Sequence, residues 1–417
     1  MGHLVGKDLY RRLGRKIDNL TARVPWNETL YFILKELYTS DEAELVVKMP
    51  YGLSSLEKIR KVTGLPGGDI ERLLTQLAEK GLVFDAWTGE EYRYTISPLV
   101  IGIFEFTMMR TRGKLNYREW ARLFHEYLQD RTTYFEANWG KGQTISPLRT
   151  LPHEETVGDG DYVEILDYEK AAAIVDRADK MAIGICACRH EKLHAGQKSC
   201  QVPLETCSSF DAAAEMLIRH GMAKEVSREE MRDNLNRSRE LGLVFCADNV
   251  RRNITFICHC CSCCCNVLLG VSRFGYTNMV VSSNYLPHID ENECIECGEC
   301  ADACPVDAIS IPEKGGRPVV DQERCLGCGV CALRCQTESL KLKKRARVVF
   351  CPEDTFERVI LQSLDQGTLQ NLLFDNPNST AQDFLRGLFG GFLKLPPVKK
   401  ALMGDRLRSR FLNLLRR

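Results

Sequence analysis

Twenty cysteines stand in this chain of 417 residues; none precedes Cys186, and nineteen fall between Cys186 and Cys335. Disulfide frameworks belong to small secreted domains that cannot build a core. This chain is 44% hydrophobic, with length for roughly two to four domains. It opens MGHLVGKDLYRRLGRK, without an apolar signal core or a cleavage site. The cysteines therefore read as thiolates for metal in a reducing cytoplasm. Neighbours such as Cys260-Cys261 and Cys263-Cys264-Cys265 oxidise readily when exposed, which points to an anaerobic or microaerobic host. Formal net charge is zero, so the whole molecule has no electrostatic pull toward nucleic acid or an acidic partner. No run approaches the ~18–20 apolar residues of a spanning helix.

The cysteines after residue 290 are strictly spaced. Cys294-x2-Cys297-x2-Cys300-x3-Cys304-Pro305 is followed by Cys325-x2-Cys328-x2-Cys331-x3-Cys335, with Gln336 where the first run has proline. This is the bacterial ferredoxin spacing, in which three cysteines wrap one [4Fe–4S] cube and the fourth reaches the other. One cluster is expected on Cys294, Cys297, Cys300 and Cys335, and the second on Cys325, Cys328, Cys331 and Cys304. Zinc also takes C-x2-C pairs, but two identical runs of four argue against it.

Upstream, the pattern is irregular: Cys186, Cys188, Cys200, Cys207, Cys246, then Cys258, Cys260, Cys261, Cys263, Cys264 and Cys265. One or two further iron–sulfur clusters are expected here, with Cys186, Cys188, Cys200, Cys207, Cys258, Cys260, Cys261, Cys263 and Cys264 as ligands. Zinc and reactive thiols are the competing readings. Cys246 and Cys351 read as ordinary buried residues. Arg189 is expected to donate to sulfur or to pair with Glu191, and His190, His194 and His259 are alternative ligands.

The two spaced runs resemble the two-cluster bacterial ferredoxin family. The longer series I-C-A-C-R-H, P-L-E-T-C and I-C-H-C-C-S-C-C-C, followed by the runs, resembles a group of uncharacterised dicluster iron–sulfur proteins of anaerobic bacteria over roughly 160–375. The resemblance implies redox function without supplying a reaction. With no G-x-G-x-x-G after a strand and no Walker A loop, the chain reads as an electron-transfer protein or oxidoreductase subunit. It would relay low-potential electrons between redox partner proteins. The rival readings are a redox-sensing winged-helix regulator and a reductase whose active site is a non-standard cluster.

The expected fold is α+β and multidomain: a basic N-terminal arm (1–24), a winged-helix-like domain (25–98), a helical connector (99–160), a cysteine-rich α/β domain (161–287), a two-cluster ferredoxin domain (288–342) and a helical tail (343–417). Helices are predicted over Glu28–Tyr38, Asp41–Lys48 and Leu56–Val62, the last capped by Ser54 or Ser55. A fourth opens at Gly67-Gly68-Asp69, with Ile70, Leu73, Leu74 and Leu77 on one face. Leu82–Phe84 and Tyr92–Ile96 form a wing. The fourth helix carries Asp69, Glu71 and Glu79 against Arg72 and Lys80, and phosphate contacts need Lys and Arg, so DNA is not the expected partner. The middle domain reads as a strand Tyr162–Leu166, a helix Tyr168–Asp179, a strand Met181–Ile185 and a helix Asp211–His220. A capping box at Ser227 follows, then strands Leu243–Cys246 and Ile254–Cys258. In the tail, Lys399, Lys400, Arg406, Arg408, Arg410, Arg416 and Arg417 flank Leu407, Phe411, Leu414 and Leu415. A basic helix with an apolar stripe suits either an anionic membrane surface on the cytoplasmic side or docking on protein.

Overall fold

The structure is a computed structural model that describes residues 2–113, 115–139, 145–158, 165–313, 315–346 and 348–416. It is mixed α and β, and it divides into two compact units: Met1–Ile145 with Phe356–Arg417, and Ser146–Thr355.

In the first unit the basic N-terminus is not a free arm. It forms a helix, Gly2–Asp18, whose Leu13 and Ile17 are fully buried. Lys16 is buried with them, its Nζ 2.5 Å from the Met49 carbonyl and over the Tyr51 ring. Helices follow at Glu28–Leu37, Ser40–Lys48, Leu56–Thr63 and Gly67–Glu79. Side chains start the first three: Asn27, then a Thr39–Glu42 capping box, then Ser55. Strands β1 (Ser54–Ser55), β2 (Val83–Trp87) and β3 (Tyr92–Ile96) make a small antiparallel sheet in the order β1-β3-β2. The stretch expected as connector joins this core through Phe104, Trp120, Phe124 and Tyr127, all buried.

The C-terminal helices belong to the same unit. Thr368 Oγ1 donates to the Leu20 carbonyl (3.0 Å), and Asn378 Nδ2 donates to those of Lys48 and Val62 (3.0 and 2.9 Å). The helix Asp405–Leu415 does not present its predicted stripe outward as one face. Leu412, Phe411 and Leu415 pack on Ile360, Leu364, Leu369 and Leu393, while Leu407 and Leu414 stay exposed. The larger outward apolar row lies on the helix Thr380–Leu393, at Phe384, Leu388 and Phe392.

The second unit is built on a seven-stranded sheet. Its members are β4 (Leu148–Leu151), β5 (Met181–Ile185), β6 (Glu205–Phe210), β7 (Ala223–Glu225), β8 (Val244–Asp248), β9 (Phe256–Cys260) and β10 (Val280–Val281), in the order β10-β4-β8-β9-β6-β5-β7. All pairs are antiparallel except β10 with β4. β4 falls inside the stretch expected as connector. Its sequence, Leu-Arg-Thr-Leu, hides the strand because Arg149 and Thr150 are polar yet fully buried. Arg149 is neutralised there by Glu169 at 2.9 Å. The strand expected over Tyr162–Leu166 lies outside the described residues at 162–164. The helix expected over Tyr168–Asp179 is shorter, Ala171–Arg177, and the Ser227 capping box opens a helix Arg228–Glu240.

One face of this sheet holds the core. Met181, Phe210, Phe245, Ala247 and Ile257 meet Ile174 and Val175 of the first helix and Met231 and Leu235 of the second. The remaining strands, β11 (Tyr285–Ile289), β12 (Ile309–Ser310), β13 (Val319–Val320) and β14 (Leu340–Lys344), pair as β11 with β14 and β12 with β13 around the spaced cysteine runs. Among the described residues, no helix is long and apolar enough to cross a membrane.

Candidate metal centres

The eight regularly spaced cysteines line two cavities, and each cavity takes three thiols from one run and one from the other. Cys294, Cys297, Cys300 and Cys335 line one. Cys325, Cys328, Cys331 and Cys304 line the other. The chain makes this exchange because a short helix follows each triplet, Glu299–Asp302 and Val330–Leu333, and carries the fourth cysteine away from its own loop. The space, the donor type and the backbone N–H groups suit an iron–sulfur cube; the Ala308 N–H already points at Cys304 Sγ from 3.1 Å, and that of Gly327 at Cys325 Sγ from 3.4 Å.

The two cavities differ in exposure. Cys297 is exposed in the first, and Ile295 beside it is 62% exposed. In the second, Cys325, Cys328 and Cys331 are all buried. Burial pushes the Cys328 thiol up to about 12, so ionising it requires a cation to take the proton's place.

Residues 293–339 match the family model of the 4Fe-4S dicluster domain. That match contains both runs and leaves the rest of the chain unassigned. No curated protein and no solved structure matches the chain.

The irregular cysteines sort into two groups. The first covers the second face of the large sheet. Cys246 of β8 is the register partner of Cys258 of β9, and Cys260 lies two residues on. Ser208 of β6 opposes Ile257, so Cys207 falls beside Cys258 on the same face. Cys186, where β5 ends, and Cys188, in the helix Ala187–His194, lie at one edge. Cys265 N-caps the helix Asn266–Phe274 at another. Thiol–thiol interactions link Cys207 with Cys258, Cys258 with Cys260, Cys260 with Cys246 and Cys265, and Cys265 with Cys188, and Cys186 lies near Cys188 and Cys207. Seven thiols thus form one group.

This group adjoins the second cavity. The Cys246 thiol accepts stabilisation from Cys260, yet burial and the nearby Cys265, Cys258 and Cys328 thiols leave its pKa raised. The backbone makes the same connection: His153 N–H donates to the Cys328 carbonyl (2.9 Å), and His153 Nε2 bonds the Leu243 carbonyl (2.9 Å) at the foot of β8.

The second group is tighter. Cys200, Cys261, Cys263 and Cys264 have all four Sγ atoms within 4.8 Å of one another. Cys264 is fully buried and Cys261 nearly so, against Val202 and Leu243. The Cys261 thiol is held down to about 5, by a hydrogen bond from Cys264 and by the Arg189 guanidinium.

Sequence reasoning missed Cys246 and Cys265. Antiparallel pairing of the two expected strands would have put Cys246 opposite Cys258, and that was the available clue. Cys207 lies on β6. Cys351 stands apart from both groups, buried, its Sγ 3.7 Å from the Pro352 carbonyl. Arg189 does not pair with Glu191, whose partner is Lys192 at 2.6 Å. It donates to the His259 carbonyl (2.8 Å), Cys261 Sγ (3.7 Å) and Thr206 Oγ1. His259 points to the core face, with Nε2 2.8 Å from Ser208 Oγ, and His190 and His194 bond each other at 3.0 Å.

Proposed function

We propose that this chain is an iron–sulfur electron-transfer protein whose two ferredoxin clusters connect a surface entry point to an interior seven-thiol centre. The observation that carries the reading is the pair of crossed quartets, each lining one cavity, with His153 bonded both to the inner quartet's Cys328 carbonyl and to the Leu243 carbonyl at the foot of β8. Bound in those cavities, iron–sulfur cubes would accept and return single electrons. Cys294, Cys297, Cys300 and Cys335 would hold the outer one, and Cys304, Cys325, Cys328 and Cys331 the inner.

The chain's own residues would set the direction of traffic. The outer quartet sits near solvent behind Ile295, where a redox partner protein can approach. The inner quartet is covered by β11 and by the 153–156 turn, so its exchange runs inward, toward the sheet face bearing Cys186, Cys188, Cys207, Cys246, Cys258, Cys260 and Cys265. Seven thiolates exceed the four that one cube uses, so this centre suits a larger iron–sulfur assembly. A cytoplasmic, oxygen-poor setting suits the outer quartet, whose Cys297 is exposed.

The first unit would act in docking. Its helix Gly67–Glu79 keeps Arg72 near Asp69, and Glu71 holds Arg60 of the preceding helix, which leaves little positive charge for phosphates and favours a protein partner over DNA.

Anaerobically purified protein tests the proposal. It should hold about eight iron and eight sulfide in the two ferredoxin clusters, and about twelve or more iron when the seven-thiol centre is filled. Fewer than eight iron, with zinc in the ferredoxin quartets, would overturn it.

A further inference from the structure

The quartet Cys200, Cys261, Cys263 and Cys264 has a geometry unlike that of the ferredoxin quartets. Its Sγ separations are 3.9 Å for Cys200–Cys261, 3.9 Å for Cys200–Cys264, 3.9 Å for Cys261–Cys263 and 3.3 Å for Cys263–Cys264. Four sulfurs each about 2.3 Å from one tetrahedral ion stand about 3.8 Å apart. A four-iron cube puts metal–metal edges between its ligands and spreads them to nearly twice that distance. The ferredoxin thiols line open cavities; this quartet closes on itself.

From these distances we infer that Cys200, Cys261, Cys263 and Cys264 form a tetrathiolate site for a single zinc ion. A closed set of four protein sulfurs is the structural type of zinc site, with no position left for water or substrate. Zinc outranks ferrous iron for such donors in the Irving–Williams order.

A second observation concerns charge. Arg189 is fully buried. Two of its hydrogen-bond partners, the His259 carbonyl and the Thr206 hydroxyl, are neutral, and the third is Cys261 Sγ; the Cys186 and Cys260 thiols also lie near it. A buried guanidinium without a counter-ion costs several kcal/mol. Zinc with four thiolates carries a net charge of −2, and the guanidinium lies against it as an outer-shell donor.

The local fold explains the ligand order. The Cys265 N–H bonds the Cys261 carbonyl (3.2 Å), closing a turn that turns Cys261, Cys263 and Cys264 to one side. Cys200 arrives from the loop between the helix Ala187–His194 and β6. The ion would join that loop to the β9 turn, about 60 residues apart in sequence, and so fix Cys207 and Cys265 on either side of it. The zinc assignment does not rest on iron occupying the seven-thiol centre.

The test is metal analysis of the full chain, purified anaerobically from zinc- and iron-replete cells, with X-ray absorption at the zinc edge. The expected result is about one zinc per chain with four sulfur neighbours near 2.3 Å and no iron neighbour. Cys200→Ser and Cys263→Ser together should lower zinc at least tenfold, with ferredoxin-type EPR signals retained. If that variant fails to fold, the wild-type absorption spectrum still decides. Zinc well below one per chain, zinc with nitrogen or oxygen ligands, or a single high-spin ferric ion abolished by Cys200→Ser would each overturn the inference. The last would mark an iron tetrathiolate.

Discussion

The two cysteine runs invite a substitution whose outcome depends on tertiary packing alone. Glu296 and Gly327 hold equivalent places, two residues after the first cysteine of each run, and both have left-handed backbone, φ +54° and +64°. A side chain is therefore tolerated at this conformation in one run. At Gly327, however, an added Cβ would fall inside the contact shells of the Tyr285 carbonyl oxygen and the Ser283 hydroxyl. Those groups are held: Ser283 N–H donates to the Leu326 carbonyl (2.9 Å), and Ser283 Oγ donates to that of Gly327 (2.7 Å). Gly327→Ala should incur about 1 kcal/mol of left-handed strain, about 1 kcal/mol for each of two disturbed hydrogen bonds, and about 1–3 kcal/mol of overpacking. The total is about 4–6 kcal/mol. Gly298→Ala is the control, because its φ is +84° but the nearest atom to an added Cβ is 3.9 Å away; it should lose only about 1 kcal/mol. Anaerobic urea titrations followed by circular dichroism and cluster absorbance would measure both. At a slope of about 2 kcal/mol/M, Gly327→Ala should move the midpoint down by about 2–3 M and Gly298→Ala by about 0.5 M. Equal shifts would refute the argument that β11 packs against this loop.

Four further outcomes are expected. Cys304→Ser should remove the signal of the inner cluster and leave that of the outer one, and loss of the outer cluster alone would show that the runs do not exchange ligands. Burial lowers the His153 pKa to about 4; with an unfolded value near 6.5, its stabilising neutral form is lost as pH falls from about 6.5 to 4. That should cost up to about 3 kcal/mol, and His153→Gln should flatten the profile. Phe384, Leu388 and Phe392 face outward on one helix, so the full chain should float with anionic liposomes at low salt, and Phe384→Ser with Leu388→Ser should keep it in the soluble fraction; equal flotation of both would place the contact elsewhere. DNA affinity at physiological salt should not exceed generic background, and a footprint on a defined sequence would reverse that expectation.

The spaced runs were legible in the sequence because their chemistry is local. Intervals of two, two and three residues turn a chain around a cluster whatever surrounds it, and the matched family segment, 293–339, lies inside the span expected from spacing. Two caps were legible for the same reason: Ser55 and Ser227 each satisfy an N–H group three residues away. Longer-range placements were not. The docking of the basic N-terminal segment was hidden because only its packing shows that Leu13 and Ile17 need a core. β4 read as connector because an ion pair with Glu169, not an apolar pattern, hides Arg149. The irregular cysteines show the limit most clearly. Nothing local separates Cys260 from Cys261, yet one belongs to the sheet-face group and the other to the tight quartet. The period of two along β9 directs Cys258 and Cys260 to one face, the strand ends after Cys260, and the following turn takes Cys261 toward Cys200. The sequence by itself determined how many thiols there were and which eight act in spaced runs; strand register and the closure of a distant loop decided how the eleven from Cys186 to Cys265 divide, because those depend on pairings between residues distant in sequence.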